Sequence, residues 1–129
     1  IEFNNLITTE YNGYNEWGNG SGLSVPERLA RFSELLVEFM ERGTCGLGVS
    51  VGLGGGLHSL TLWGCEYDNA TGIVSKIWIA DSDDIKSGPR TPILHECTIS
   101  MEGGSIRIDG ASQTYYIKQL FPVSGYGSL

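Results

Sequence analysis

Three runs decide the fold: Gly46-Leu47-Gly48-Val49-Ser50-Val51-Gly52-Leu53 (46–53), HSLTLWGCEY (58–67) and IVSKIWIA (73–80). They are rich in β-branched, aromatic or small residues and bounded by glycine or polar turns, the pattern of strands and not of helices. Between the last two stands the turn Asp68-Asn69-Ala70-Thr71-Gly72, so they read as a hairpin. Downstream, ILHECTISM (93–101) and SIRIDG (105–110) flank Glu102-Gly103-Gly104, a second hairpin signal, and QTYYIKQLF (113–121) ends the series.

Working outward, the residues before 46 change period. Leu29, Phe32, Leu35, Leu36, Phe39 and Met40 recur at helical spacing, with Arg28, Arg31, Glu34, Glu38 and Glu41 between them. Ser24 is a good N-cap, Glu27 completes a capping box, Pro26 suits the first turn, and Gly43 supplies the stop. The spacing therefore predicts one amphipathic helix over 24–42, followed by a sheet over 46–121. Residues 1–22 are polar, Asn- and Gly-rich and lack a period, as in a loop segment. One helix packed on a mostly antiparallel sheet of five or six strands is an α+β arrangement.

The 129 residues suit a single domain, 1–129. With 40% hydrophobic and 18% charged residues the chain is globular, not disordered. Fifteen acidic residues against eight basic ones give a formal charge of −7, which argues against broad binding to nucleic acid or to anionic membranes. No apolar run approaches the ~20 residues of a spanning helix. The opening Ile1-Glu2-Phe3-Asn4-Asn5 does not read as a signal peptide, and a start at Ile instead of Met suggests a processed product or part of a longer protein. Cys45, Cys65 and Cys97 are an odd number without a C-x-x-C pair, so each reads as a buried apolar residue and not as part of a disulfide framework.

The chemistry concentrates at His58 and the acidic run Asp81-Ser82-Asp83-Asp84. If 58–67 and 73–80 form a hairpin, a two-residue turn at Asn69-Ala70 sets His58 opposite Asp81, and a four-residue turn at 69–72 sets it opposite Asp83. Cross-strand Cβ atoms lie only ~4.5–5.5 Å apart, so either register puts a carboxylate beside the imidazole. A carboxylate orients the ring, fixes its tautomer and stabilises its protonated form, as a general base serving a nucleophile requires. Structural His–Asp pairs are equally common, and both readings stay open on this ground alone.

GLHSLTLWGCEYD (56–68) followed by KIWIADSDD (76–84) resembles the streptococcal immunoglobulin-G-degrading cysteine endopeptidases, the IdeS/Mac family. Those enzymes carry a catalytic His entering a strand that ends in Trp-Gly, then an acidic-aromatic-Asp turn and a strand ending in Asp-Ser-Asp. The preceding helix and GLGVSV strand are also similar in position and pattern, and the likeness covers roughly residues 29–121. It implies a papain-like fold, of which this chain is the sheet half. It also implies roles: His58 the general base, Asp81 the carboxylate orienting it, and Asp83 a second acid near the site. A secreted or cell-surface bacterial protein acting on protein substrates, immunoglobulin among them, belongs to the same implication.

One departure matters. In papain-like peptidases the nucleophilic Cys precedes the His, at the start of a helix. Here only Cys45 precedes His58, and it follows a helix C-terminus, where the macrodipole disfavours a thiolate. Cys65 stands on the His strand and Cys97 comes later. The nucleophile is therefore expected in an upstream segment outside this chain.

Other motifs are weaker. His95-x-Cys97 with Cys65 could begin a zinc site but lacks a fourth ligand, and residues 52–56 lack the Lys of a phosphate loop. Asn69-Ala70-Thr71 matches a glycosylation sequon yet needs no role beyond its turn. The Asp81–Asp84 run lacks EF-hand spacing. Trp17, Trp63 and Trp78 read as core or rim packing, and Tyr115-Tyr116 must split across the two sheet faces. The chain thus reads as the His/Asp-bearing C-terminal portion of a cysteine endopeptidase, inactive alone, with no cofactor and no metal. Its expected partners are a protein substrate and either the Cys-bearing upstream segment or a second copy of the chain, not nucleic acid or membrane. The alternatives are a catalytically silent protein-binding module of the same fold and a structural β-domain with an incidental His–Asp pair.

Overall fold

The computed structural model describes residues 17, 21–52, 57–81 and 93–123. Among these, one helix, α1 (Val25–Arg42), precedes β1 (Thr44–Val51), β2 (Leu57–Tyr67), β3 (Val74–Ala80), β4 (Leu94–Glu102), β5 (Ser105–Asp109) and β6 (Tyr115–Val123). The helix begins as its capping sequence requires: Glu27 N donates to Ser24 Oγ at 3.4 Å, and Ser24 N donates to Glu27 Oε1 at 2.8 Å. Gly43 ends it and leads straight into β1. No described helix is long and apolar enough to cross a membrane.

Each strand pairs antiparallel with its neighbour in sequence, and β1 then pairs with β6 over Thr44–Val51 against Val123–Tyr115, which closes a barrel. This corrects the expectation of a helix packed on an open sheet in a papain-like arrangement. The physical reason lies in β1. Its alternation of Leu47 and Val49 with Gly46, Gly48 and Ser50 buries one face and leaves room on the other. A Cβ at Gly48 would stand 3.0 Å from the Phe121 ring and 3.3 Å from Gln119 Oε1, so glycine there lets these two β6 side chains lie over β1 without shifting. A period-two pattern records one buried face and is the same for an open or a closed sheet. The closing contact, between the first strand and the last, has no local signature.

Inward-facing Leu47, Val49, Leu60, Leu62, Ile77, Ile79, Ile106, Ile108, Ile117 and Leu120 fill the barrel. Burying each such side chain contributes roughly 1.5–3 kcal/mol relative to exposure. The helix lies across the end where β1 begins and the β2–β3 and β4–β5 turns sit. There Val74 N donates to Ser33 Oγ at 2.9 Å, and Arg28 Nη1 donates to Gly104 O at 2.9 Å. Phe32, Leu35, Leu36 and Phe39 join the barrel core from this side, with the buried Trp17 edge-on to Phe32 at 5.2 Å. Apart from Trp17, Ser21 and Gly22, the polar segment 1–22 lies outside the described residues.

Candidate active site

At the opposite end of the barrel β1, β3 and β5 finish and β2, β4 and β6 start. Three residues meet there from three strands. His58 is the second residue of β2 and pairs with the buried Val49, so its ring is on the interior face. Asp81 directly follows β3, and Tyr115 opens β6. His58 Nε2 lies 2.8 Å from Asp81 Oδ1. Tyr115 Oη donates to Asp81 Oδ2 at 3.0 Å, and its ring stacks on the imidazole with centroids 5.9 Å apart. The carboxylate is 2% exposed and the imidazole 25%, so the acid is sealed inside while the ring reaches the mouth.

The hairpin takes the four-residue turn, whose register was expected to set His58 opposite Asp83, yet the imidazole meets Asp81. Asp68 N donates to Ile73 O at 3.0 Å, closing a four-residue turn over 69–72, and Asp68 Oδ1 accepts from the amides of Ala70 and Thr71. Those amide bonds hold the Asp68 carboxyl below its ordinary value. Near the site the ladder pairs Thr61 with Ala80. Continued one step, that register sets Asp81 level with Leu60, and His58 reaches it along the diagonal that long side chains span between neighbouring strands. Asp83 lies outside the described residues.

A register shift between Leu62 and Gly64 leaves Trp63 as the extra residue of a bulge, 64% exposed on the outer face, where core or rim packing was expected. Trp78 is half-buried. Tyr115 and Tyr116 do split across the sheet: Tyr116 Oη donates to Glu102 Oε1 at 3.0 Å on the outer side. The place of Tyr115 beside His58 and Asp81 has no local signal in the sequence. Alternation alone put one of the two tyrosines inside; what brings Tyr115 to His58 is barrel closure, which seats β1 between β2 and β6.

All three cysteines are free. Burial pushes the Cys45 thiol up to about 12 and Cys97 to about 11, and it raises Cys65 as well. Cys45 lies four residues along β1 from Val49, the partner of His58, hence roughly 13 Å away along the strand. Cys65 lies seven residues from His58 along β2, roughly 23 Å. Cys97 Sγ donates to His95 O at 3.9 Å. Among the described residues no group of three His, Cys, Asp or Glu side chains is arranged to hold a metal ion.

No curated protein and no solved structure matches the chain. The family profile described as Mac 1 matches residues 24–99, more than half of the chain, spanning α1, β1, the His58 strand, Asp81 and most of β4. The chain therefore belongs to the Mac 1 family, which is of the IdeS/Mac type.

Proposed function

We propose that this chain supplies the general-base side of a cysteine endopeptidase site, with His58 as base and Asp81 as its orienting carboxylate. The observation that carries the reading is the 2.8 Å contact between His58 Nε2 and a carboxylate sealed inside the barrel mouth. An ionised carboxylate only accepts hydrogen bonds, so Nε2 carries the hydrogen and Nδ1 is the proton acceptor of the neutral ring. Nδ1 would take the proton of a thiol as its sulfur attacks the scissile carbonyl. The imidazolium would return that proton to the leaving amine, and water would then hydrolyse the acyl-enzyme. Asp83 would act as a second acid near the site.

The thiol would come from outside this chain. Cys45 and Cys65 are too far along their strands, and a thiol held near 11 or 12 is almost entirely protonated at neutral pH. Exposed Val51, Leu57, Ile93 and Leu94 surround the same end of the barrel, which supports docking of the Cys-bearing segment or a second copy there. The substrate is a protein by the likeness to the immunoglobulin-degrading enzymes, and immunoglobulin is the first to test. A secreted or cell-surface bacterial location belongs to the same reading.

The test joins the chain to whatever its reading frame encodes ahead of Ile1 and assays cleavage of immunoglobulin and casein. Cleavage by the joined protein, lost on His58→Ala and absent from the 129-residue chain alone, is the expected result. Cleavage by the chain alone that disappears on Cys45→Ala would place the nucleophile within it. Binding without cleavage by the joined protein would favour the silent protein-binding module.

A further inference from the structure

The geometry points to Tyr115 as a positioning residue for the His58–Asp81 pair, holding the carboxylate so that its other oxygen stays on the imidazole. This rests on the reading of His58 as a base, and it goes beyond that reading by naming the group that fixes the orienter. A carboxylate held only through Oδ1 can turn about its Cβ–Cγ bond and leave the ring. Here the Tyr115 hydroxyl donates to Oδ2 at 3.0 Å while His58 occupies Oδ1 at 2.8 Å, so any turn must break the Tyr115 bond as well as the His58 bond. The same phenol ring lies against the imidazole, 5.9 Å between centroids and 29° between planes, which restricts rotation of the ring itself. Tyr115 is 2% exposed and begins a strand paired on both sides, so its hydroxyl is held by the barrel and not by a mobile loop.

A neutral phenol suits this role. It satisfies a buried carboxylate oxygen without adding a positive charge that would compete with the imidazolium. Hydrogen bonds to an ionised acceptor are about twice as strong as neutral ones, so the phenol holds Oδ2 firmly against rotation of the carboxylate. Losing the hydroxyl therefore loosens the far end of the chain of contacts, at the His58 Nε2 hydrogen.

Nitrogen-15 NMR of the 129-residue chain tests this without any thiol, by reading the His58 tautomer and the exchange of its Nε2 hydrogen with water. In Tyr115→Phe that exchange should speed up by roughly tenfold or more, the second tautomer should appear, and backbone exchange in β2 and β6 should stay unchanged. The same substitution in an Asp81→Asn background should have no further effect on His58, since the influence passes through the carboxylate. Replacing Tyr115 by 3-fluorotyrosine, a more acidic donor of nearly the same shape, should slow the exchange, and it decides the matter if Tyr115→Phe does not fold. An unchanged Nε2 hydrogen in Tyr115→Phe, or faster exchange matched by equal loss of backbone protection, would reduce Tyr115 to core packing and overturn the proposal. Asp81→Asn keeps the two ideas apart: if it leaves His58 unaltered, the base–orienter pair itself fails, whatever Tyr115 does.

Discussion

The two ends of the barrel are built from the same six strands and carry opposite properties. At one end a capped helix inserts Phe32, Leu35, Leu36 and Phe39, and its polar side chains bond to strand and turn backbone: Ser33 to the amide of Val74, Arg28 to the carbonyl of Gly104. At the other end no described helix covers the strands; a buried carboxylate meets an imidazole and a phenol, and apolar side chains stay exposed around them. A helix end buries apolar area and needs no unusual chemistry, whereas a buried acid is tolerated only with partners for both oxygens. Stability should therefore depend on the first end and reactivity on the second, and substitutions can separate the two.

The largest effect should fall on reactivity. If the protein joined to its upstream segment cleaves as proposed, Asp81→Asn should lower kcat/KM by roughly 10²–10⁴-fold, because without the orienting carboxylate the base His58 loses its tautomer and its place. Asparagine keeps the shape but turns an amide donor toward one of the two donors that meet Asp81, so the urea-derived unfolding free energy should fall by about 1–3 kcal/mol, less than in the next variant. A loss of stability as large as that of the next variant would mean that the mouth, too, is mainly structural.

Phe32→Ala should produce the reverse pattern. Phe32 is fully buried between the helix, Trp17 and the barrel core, and its truncation should cost about 3–5 kcal/mol in urea unfolding. The His58 and Asp81 contacts belong to the other end, so the ring tautomer should be unchanged in the folded fraction. Tautomer disturbance in that fraction would show that the two ends communicate through the core.

How far this division can be read from the residues alone varies by feature. The helix with its cap at Ser24 and Glu27, the six strand runs and the turn at 69–72 all follow from local rules, because each rests on residues within one or two turns of the chain. That a carboxylate of the acidic run comes near His58 follows as well, since one short hairpin carries both, but the observed turn has the register assigned to Asp83, and the diagonal reach to Asp81 is not legible in the turn. Closure does not follow from local rules, and both the barrel architecture and the place of Tyr115 beside His58 depend on it. In an open sheet β6 would end at the edge far from β2 and β3. In the barrel β1 joins them, and Tyr115 arrives beside His58 from 57 residues downstream. The Trp63 bulge is not legible for a related reason: an extra residue in a ladder leaves no mark on a hydrophobic pattern.

Ser33→Ala sharpens the comparison at finer scale. Its Oγ accepts from the Val74 amide at 2.9 Å in a buried setting, and alanine would leave that donor without this partner where β3 starts. The expected cost is about 1–3 kcal/mol by urea unfolding, with faster hydrogen exchange at Val74 than at Ile79. Equal exchange at both would mean that the helix does not anchor the strand.

The smallest effect is a dependence on acid, and it too should belong to the helix end. Glu27 at the start of the helix, Asp68 in the β2–β3 turn and Glu102 before the β4–β5 turn are all held below the ordinary carboxylate range. The causes are the Ser24 amide and hydroxyl for Glu27, the amides of Thr71 and Ala70 for Asp68, and Arg107 with Tyr116 for Glu102. Because these groups bind protons less readily when folded, the unfolded chain protonates first as pH falls. The stability they add is therefore complete above about pH 5 and drains away as the pH drops through their folded values. Glu102→Gln removes one of the three, so its urea midpoint should fall less steeply than wild type between about pH 5 and pH 3. All three groups are exposed, so the change in slope should also shrink at high salt. An acid slope unchanged by Glu102→Gln, but flattened by Asp81→Asn, would assign the pH sensitivity to the mouth and break the division between the two ends.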